Sequence, residues 1–315
     1  MDTKTPVDPT LDPSIAACIA EAVRRGAVRR DLTNIPGARE QMRREQAWWS
    51  EGQPQPAEII NDTLDVGGRA LRIRLYRPTL DVTGPTLLYL HGGGWCIGDL
   101  DTHDNCARAL AMSSNFVVVS LDYSCAPEAP FPAAFDEVSA AARALRGPEG
   151  QRLNVDATKL AIAGDSAGAN LALAGALALR DAGTPAQALG LFYGAFDTSL
   201  ETSSYRGFGD GRYGLSRGEM AQFYQYYAPT ATDDPRVAPL RADLAAAPPC
   251  YMIACGLDVL RDDSLKLAAA LTTAGIRFRL DYVPGATHGF LRFGNAADAS
   301  RNALSEAGRY LASVI

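Results

Sequence analysis

Residues 159–163 (Lys159-Leu160-Ala161-Ile162-Ala163) form an apolar, strand-like run that passes through Gly164-Asp165-Ser166-Ala167-Gly168 into an Ala- and Leu-rich stretch, 169–180, patterned as a buried helix. Few chains can make that passage. A reversal from strand to helix with a serine at its apex strains the serine backbone and brings the flanking positions into collision range. Glycine at 164 and 168 removes the collisions and leaves the Ser166 hydroxyl exposed at the tip of a sheet. The G-x-S-x-G pattern alone also suits an ordinary Gly/Ser-rich loop. The strand before it and the helix after it make it a nucleophile elbow.

A serine hydroxyl is a weak nucleophile near neutral pH, so it needs a base, a group that orients the base, and donors for the oxyanion. The chain offers three histidines, His91, His103 and His288. In an elbow architecture the order along the chain is Ser, then Asp or Glu, then His, which leaves His288 as base. It lies in Pro284-Gly285-Ala286-Thr287-His288-Gly289-Phe290, a glycine-bracketed loop expected after a strand at 277–283. The acid should follow another strand between the two. Residues 250–255 read as a buried strand that ends at Gly256, and Asp258 comes next. Asp262 and Asp263 are read instead as first-turn residues of a helix over 264–274, where negative charge complements the dipole.

The donors should come from upstream. The apolar run 86–90 opens into His91-Gly92-Gly93-Gly94-Trp95, three glycines whose N–H groups can approach a reacting carbonyl with no Cβ in the way. A phosphate loop would place Lys and Ser or Thr next, where Trp95 and Cys96 stand, and no G-x-G-x-x-G follows a strand. A nucleotide site is excluded on those grounds.

Together these motifs resemble the hormone-sensitive-lipase-like carboxylesterases. The resemblance rests on HGGGW at 91–95, GDSAG at 164–168, the D-x-L-R-D segment at 258–262 and HGF at 288–290. Residues 122–133 (DYSCAPEAPFPA) are similar to that family's D-Y-R-L-A-P-E-H-P-F-P-A. It spans residue 60 to the C-terminus and implies an α/β-hydrolase fold: a mostly parallel eight-stranded sheet flanked by helices, with a helical cap. It implies Ser166 as nucleophile, Asp258 as acid and His288 as base, with oxyanion donors at the N–H groups of Gly93, Gly94 and Ala167. His91 would be structural. The chain departs from the family at Ser124, Cys125 and Ala129, where Arg, Leu and His are usual, so a structural ion pair is expected to be missing there. The implied reaction is hydrolysis of short- to medium-chain esters. A lyase or dehydratase, or a small-molecule receptor on the same fold, is the alternative.

The remaining sequence agrees with an enzyme acting on a small molecule. Hydrophobic residues make up 47% of 315, enough for a large core, and a net charge of −6 argues against a nucleic-acid partner. No run of 18 apolar residues suggests a membrane span. The acidic, Pro-rich start (Asp2, Pro6, Asp8, Pro9) does not read as a signal peptide, and a cytoplasmic location is expected. The six cysteines show no metal-ligand spacing and read as thiols; no metal or cofactor is called for, and a homodimer is left open. Strands are expected at 58–65, 71–77, 86–90, 116–122, 160–163, 188–193, 251–255 and 278–283, the first two joined as a hairpin through Gly67-Gly68. The rest alternate with helices, which implies a sheet covered on both faces. Two segments interrupt the alternation and are read as a cap. Residues 1–50 are its N-terminal part, ending in Trp48-Trp49. A second cap segment, at about 197–245 within the catalytic domain 51–315, holds a helix opened by Ser216 and Glu219 and rich in aromatics (Phe223, Tyr224, Tyr226, Tyr227).

Overall fold

All eight expected strands join one sheet in the computed structural model, which describes residues 10–81 and 84–315. They are β1 (Glu58–Asp65), β2 (Ala70–Arg77), β3 (Pro85–Leu90), β4 (Val117–Leu121), β5 (Asp156–Asp165), β6 (Ala188–Phe192), β7 (Cys250–Leu257) and β8 (Phe278–Thr287), in the order β1-β2-β4-β3-β5-β6-β7-β8. β2 pairs antiparallel with both neighbours, and every pairing from β4 to β8 is parallel. The acidic, Pro-rich start read as no signal peptide (Asp2, Pro6, Asp8, Pro9), and with it the first nine residues of the expected N-terminal cap segment, lies outside the described residues.

Ten helices are described: α1 (Pro13–Arg24), α2 (Ile35–Gln46), α3 (Asp104–Ser114), α4 (Ala133–Leu145), α5 (Pro148–Arg152), α6 (Ala167–Asp181), α7 (Ser203–Phe208), α8 (Arg217–Tyr227), α9 (Arg261–Thr273) and α10 (Asp298–Val314). Side chains alternate across the sheet, so two apolar clusters form, one on each face. Leu88 and Leu90 of β3 join Val138, Leu171 and Leu267 of α4, α6 and α9 on one side. Leu87 and Tyr89 join Leu110 and Leu304 of α3 and α10 on the other. The parallel strands therefore read as continuous apolar runs because both their faces are covered.

Two boundaries differ from the expected ones. β5 starts at Asp156 because Asp156 pairs with Pro85 before a register shift in the β3–β5 ladder. β8 continues through Pro284-Gly285 to Thr287, so the stretch expected to be a loop is still strand. A shift in the β7–β8 register brings Leu257 opposite Thr287. It brings the two backbones so close that a Cβ on Gly256 would sit 2.1 Å from the Pro284 carbonyl oxygen. The result carries Asp258 and His288 out on neighbouring strand ends.

The N-terminal segment expected to form part of the cap is tied to the body. Leu32, Ile35, Ala38 and Met42 are buried in the main core, and the Asp12 N–H donates to the Gly285 carbonyl (2.9 Å). The α8 start has the expected reciprocal cap: Ser216 Oγ accepts from the Glu219 N–H (3.2 Å), and the Glu219 carboxylate accepts from the Ser216 N–H (2.8 Å).

The elbow glycines meet the demand placed on them. A Cβ on Gly168 would lie 2.0 Å from the Leu90 carbonyl oxygen, and one on Gly164 would lie 2.4 Å from the Gly168 carbonyl carbon. Both obstacles are backbone and cannot swing aside. Gly168→Ala should therefore cost about 1–3 kcal/mol in thermal or urea unfolding. Gly207→Ala, whose Cβ would meet nothing within 4 Å, should not destabilise the protein. Equal effects of the two would mean that the elbow is looser than its geometry shows.

Candidate active site

Ser166 sits between β5 and α6 with φ +54° and ψ −119°, a conformation that L-residues avoid. Its N–H donates to the Phe192 carbonyl (2.8 Å), which anchors the apex to the next strand. The hydroxyl oxygen is 2.9 Å from His288 Nε2. On the far side of the ring, His288 Nδ1 is 2.7 Å from Asp258 Oδ2. A carboxylate only accepts, so Nδ1 carries the proton and Nε2 is left to accept from the Ser166 hydroxyl. Asp258 Oδ1 accepts from the Leu260 N–H (3.0 Å), which holds the carboxylate in place. Tyr193 meets the imidazole edge-on at 5.1 Å. The three side chains expected from the sequence thus form one hydrogen-bonded line.

The glycine loop after β3 runs beside this line. Gly93 (φ +112°), Gly94 (φ +58°) and Trp95 (φ +58°) occupy the left-handed region in succession. A Cβ on Gly94 would overlap the Phe223 ring at 2.3 Å, so glycine is needed there for space as well as for φ. The N–H groups of Cys96 and Ile97 both donate to the Gly93 carbonyl (3.0 Å each), which closes the turn. Among the described residues no acceptor takes the N–H of Gly93, Gly94 or Ala167. The Gly92 N–H, by contrast, donates to Asp165 Oδ1 (3.0 Å) and is spent on structure.

Asp165, next to the nucleophile, is a residue that sequence reasoning passed over. Its carboxylate is buried and also accepts from the Tyr89 hydroxyl (2.8 Å), while Oδ2 lies 3.4 Å from His103 Nε2. Burial works against its charge, yet His103 and the Tyr89 hydrogen bond outweigh this and hold it down at about 2. His103 Nδ1 lies 2.9 Å from Thr102 Oγ1, so the pair is continued into the following turn. His91 has the structural part expected of it. Its ring stacks on Tyr123 (4.1 Å) and Nδ1 meets the Gly92 carbonyl oxygen (2.8 Å). Burial and then the neighbouring His103 lower it to about 4, so its 4.0 Å approach to Asp122 is not an ion pair at neutral pH.

Other residues brace the loop from outside. Arg39 of α2 donates to the Cys96 carbonyl (2.7 Å) and the Ala126 carbonyl (3.0 Å) and pairs with Glu128. Trp95 stacks flat on Tyr227 of α8 at 4.5 Å. Cys96 is buried and burial pushes its thiol up, which makes it a poor nucleophile. At the departure from the family pattern, the ion pair expected to be missing comes from elsewhere. Arg69 in the β1–β2 turn reaches Glu137 (2.7 Å) and the Ser124 hydroxyl (2.6 Å).

The two carboxylates after Asp258 do more than complement a dipole. Asp262 accepts from the Ser204 N–H (2.9 Å). Asp263 is buried, and its Oδ2 accepts from the N–H groups of Phe196 (2.9 Å) and Asp197 (3.1 Å) where the chain leaves β6. Its Oδ1 has no partner, and burial raises the group to about 7.

A cavity of about 540 Å³ opens onto Ser166, His288, Gly93, Gly94 and Ala167. Trp48 and Trp49 from the N-terminal segment and Phe223 from α8 wall it. Tyr224 and Tyr227 are buried away from it, and the Tyr226 hydroxyl donates to the Leu32 carbonyl (3.0 Å), which links the two cap segments.

This sheet, elbow and histidine line define an α/β hydrolase. The family model for the α/β hydrolase fold matches residues 87–292, and the chain belongs to that family, in its hormone-sensitive-lipase-like carboxylesterase branch. It is 37% identical over 246 residues to the ethyl acetate hydrolase of Pseudomonas putida, covering 75% of this chain and 76% of that protein. It is 35% identical over 240 residues to the carboxylesterase NlhH of Mycobacterium tuberculosis, covering 73% and 74%. Among solved structures, an ester hydrolase from the metagenome of Lake Arreo, complexed with a bipyridine phosphonate derivative, superposes with a TM-score of 0.88 at 34% identity over 96% of this chain and 98% of that one. The hyperthermophilic esterase of the archaeon Pyrobaculum calidifontis does so with a TM-score of 0.88 at 32% identity, over 96% and 98%. Among the described residues no helix is long and apolar enough to cross a membrane.

Two predictions follow from this geometry. Asp258→Asn should lower kcat by orders of magnitude, since the amide cannot hold the imidazole in the same tautomer, whereas Asp262→Asn should not; initial rates on a small ester, with circular dichroism as folding control, read this directly. The second concerns stability. Asp263 holds its proton to about pH 7 when folded, against about 4 for an unfolded aspartate, so between these values the native state binds more protons. Its contribution is full below about pH 4 and is lost as pH rises to about 7. Urea unfolding at a series of pH values should show stability falling through this window, and Asp263→Asn should flatten that part of the curve.

Proposed function

We propose that this chain is a serine carboxylesterase that hydrolyses short- to medium-chain esters through an acyl-enzyme on Ser166. The observation that carries the reading is the coincidence, on one cavity, of the Asp258–His288–Ser166 line with three backbone N–H groups that have no acceptor among the described residues. Such donors cost nothing to reorganise when a negative oxygen develops between them.

In the first half-reaction His288 Nε2 takes the Ser166 proton as the hydroxyl oxygen attacks the ester carbonyl carbon. The carbonyl oxygen becomes an alkoxide held by the N–H groups of Gly93, Gly94 and Ala167. Asp258 stabilises the imidazolium. His288 then gives its proton to the departing alkoxide, and the alcohol leaves an ester bond between the acyl group and Ser166. In the second half-reaction water loses a proton to His288 and attacks the same carbon, and the acid departs as Ser166 regains its proton. Family membership supports ester substrates, and the names borne by its relatives, ethyl acetate hydrolase among them, support small ones. The aromatic walls and moderate volume of the cavity support short to medium acyl chains over long ones.

A fluorophosphonate probe should label Ser166 and nothing else, and Ser166→Ala should fold, resist labelling and lose nearly all hydrolysis. On p-nitrophenyl esters of acetyl to dodecanoyl, kcat/KM should peak at or below hexanoyl and fall for longer chains. Stoichiometric labelling of Ser166→Ala would sink the assignment of the nucleophile. A flat chain-length profile would remove the cavity as the origin of selectivity. Product analysis separates hydrolysis, which yields acid and alcohol, from a lyase reaction, which yields an alkene.

A further inference from the structure

The cavity that serves Ser166 is lined by as many carboxylates (Glu45, Asp165, Glu219) as arginines, yet among the described residues one guanidinium is left without an ion pair. Three arginines face it, Arg29, Arg30 and Arg292. Arg29 pairs with Glu219 (2.9 Å), and Arg30 pairs with Glu45. Among the described residues Arg292 has no carboxylate partner. Its guanidinium makes one long hydrogen bond, from Nη1 to Gln46 Oε1 (3.4 Å). Its Nε and Nη2 are the nearest atoms to the open side of Gly289, at 3.7 and 3.9 Å from where a Cβ would stand, directly beside His288. The nearby carboxylate of Asp165 is committed below the loop to Tyr89, Gly92 and His103.

A second observation points the same way. Arg30 Nε is sealed from solvent and has no acceptor. Burial lowers the Arg30 pKa first and the like charge of Arg292 lowers it next, while Glu45 and then Glu219 oppose them. Two guanidiniums thus bear on one another, and of the two only Arg30 has a carboxylate within ion-pair distance among the described residues. A like-charge arrangement in a partly dry cavity costs free energy unless an anion shares it, and the planar fork of arginine matches a carboxylate better than any other side chain does.

We propose that the preferred substrates of this esterase are esters that carry a free carboxylate, with Arg292, backed by Arg30, as the group that binds it. This rests on the esterase reading above. The carboxylate can stand on the acyl side, as in a monoester of a dicarboxylic acid, or on the alcohol side, as in the acyl ester of a hydroxy acid. In either case Arg292 acts on binding and orientation, and Ser166 and His288 carry out the bond making and breaking.

The test compares charge at constant size. In one arm kcat/KM is measured for the monoethyl esters of four- to six-carbon dicarboxylic acids, each against its neutral monoamide. In the other arm the acetyl esters of short hydroxy acids are measured against the corresponding hydroxy amides. The wild-type ratio of anion to amide should exceed one in at least one arm, and that arm names the side on which the carboxylate sits. Arg292→Gln should lower the ratio about tenfold or more, Arg292→Lys should recover part of it, and raising the salt concentration should erode it in the wild type. A purely structural arginine that steadies Gln46 would, when replaced, lower both members of each pair together and leave the ratio alone. The inference is overturned if both wild-type ratios lie at or below one, or if Arg292→Gln and Arg292→Lys keep the wild-type ratio. Should Arg292→Gln fail to fold, protection of Ser166 from the fluorophosphonate probe decides on the wild type: glutarate should slow labelling and glutaramide should not. Turnover of the neutral amides keeps the two readings apart. If the amides are hydrolysed and the anions are not favoured, only this inference falls; if neither is hydrolysed, the esterase reading falls with it.

Discussion

A carboxylate buried under the oxyanion loop holds this site together. Asp165 ends β5, one residue before the strained apex, and its oxygens face Tyr89 of β3, the Gly92 N–H and His103. It joins the elbow to the loop across the two central strands. Remove that charge and the Tyr89 and Tyr193 hydroxyls lose their acceptor inside a closed volume, where an unmade hydrogen bond costs about 1–3 kcal/mol each, and the Gly92 N–H keeps only His103 Nε2. The loop that presents Gly93 and Gly94 to the cavity would then rest on its other braces, among them Arg39, the Trp95–Tyr227 stack and the Tyr123 hydroxyl on the His91 carbonyl. Preorganised donors depend on such support, because a donor that must be reoriented during the reaction loses much of its effect.

The fold was legible to the extent that its determinants are local. Strand–glycine–helix passages, a capping box at Ser216 and continuous apolar runs are consequences of backbone sterics and burial, and these act within a few residues. The three side chains of the histidine line could be ordered along the chain because the topology allows only one order. What the sequence did not disclose was mostly contact at a distance. β8 continues past its expected end because a register shift with β7 lets Gly256 meet Pro284, and neither residue announces the other.

Polar residues with two uses were the hardest to read. Asp263 is in the first turn of α9, and this alone accounts for an acidic residue there. Its buried task, two backbone N–H groups at the exit of β6, is visible only once that exit is placed beside the helix. Arg69 is a similar case. The pattern around Ser124 announced a missing cation, but a hairpin turn some fifty positions upstream supplies one. Asp165 stands at an unspecified position of the G-x-S-x-G pattern, and such a position carries no signal of what lies beneath it.

Trp95 has a wider significance. It belongs to the loop proposed to bear the oxyanion donors, yet its ring lies flat against Tyr227, on the same helix that contributes Phe223 to the cavity wall. The cavity wall and the backbone proposed to stabilise the reacting oxygen are therefore one mechanical unit. Natural variation that reshapes the α8 wall to admit a new ester is bound to disturb turnover of the old one. In such a lineage, breadth of substrate range and speed of catalysis would drift together, and a specialist could become a generalist only by rebuilding the contact between that helix and the loop.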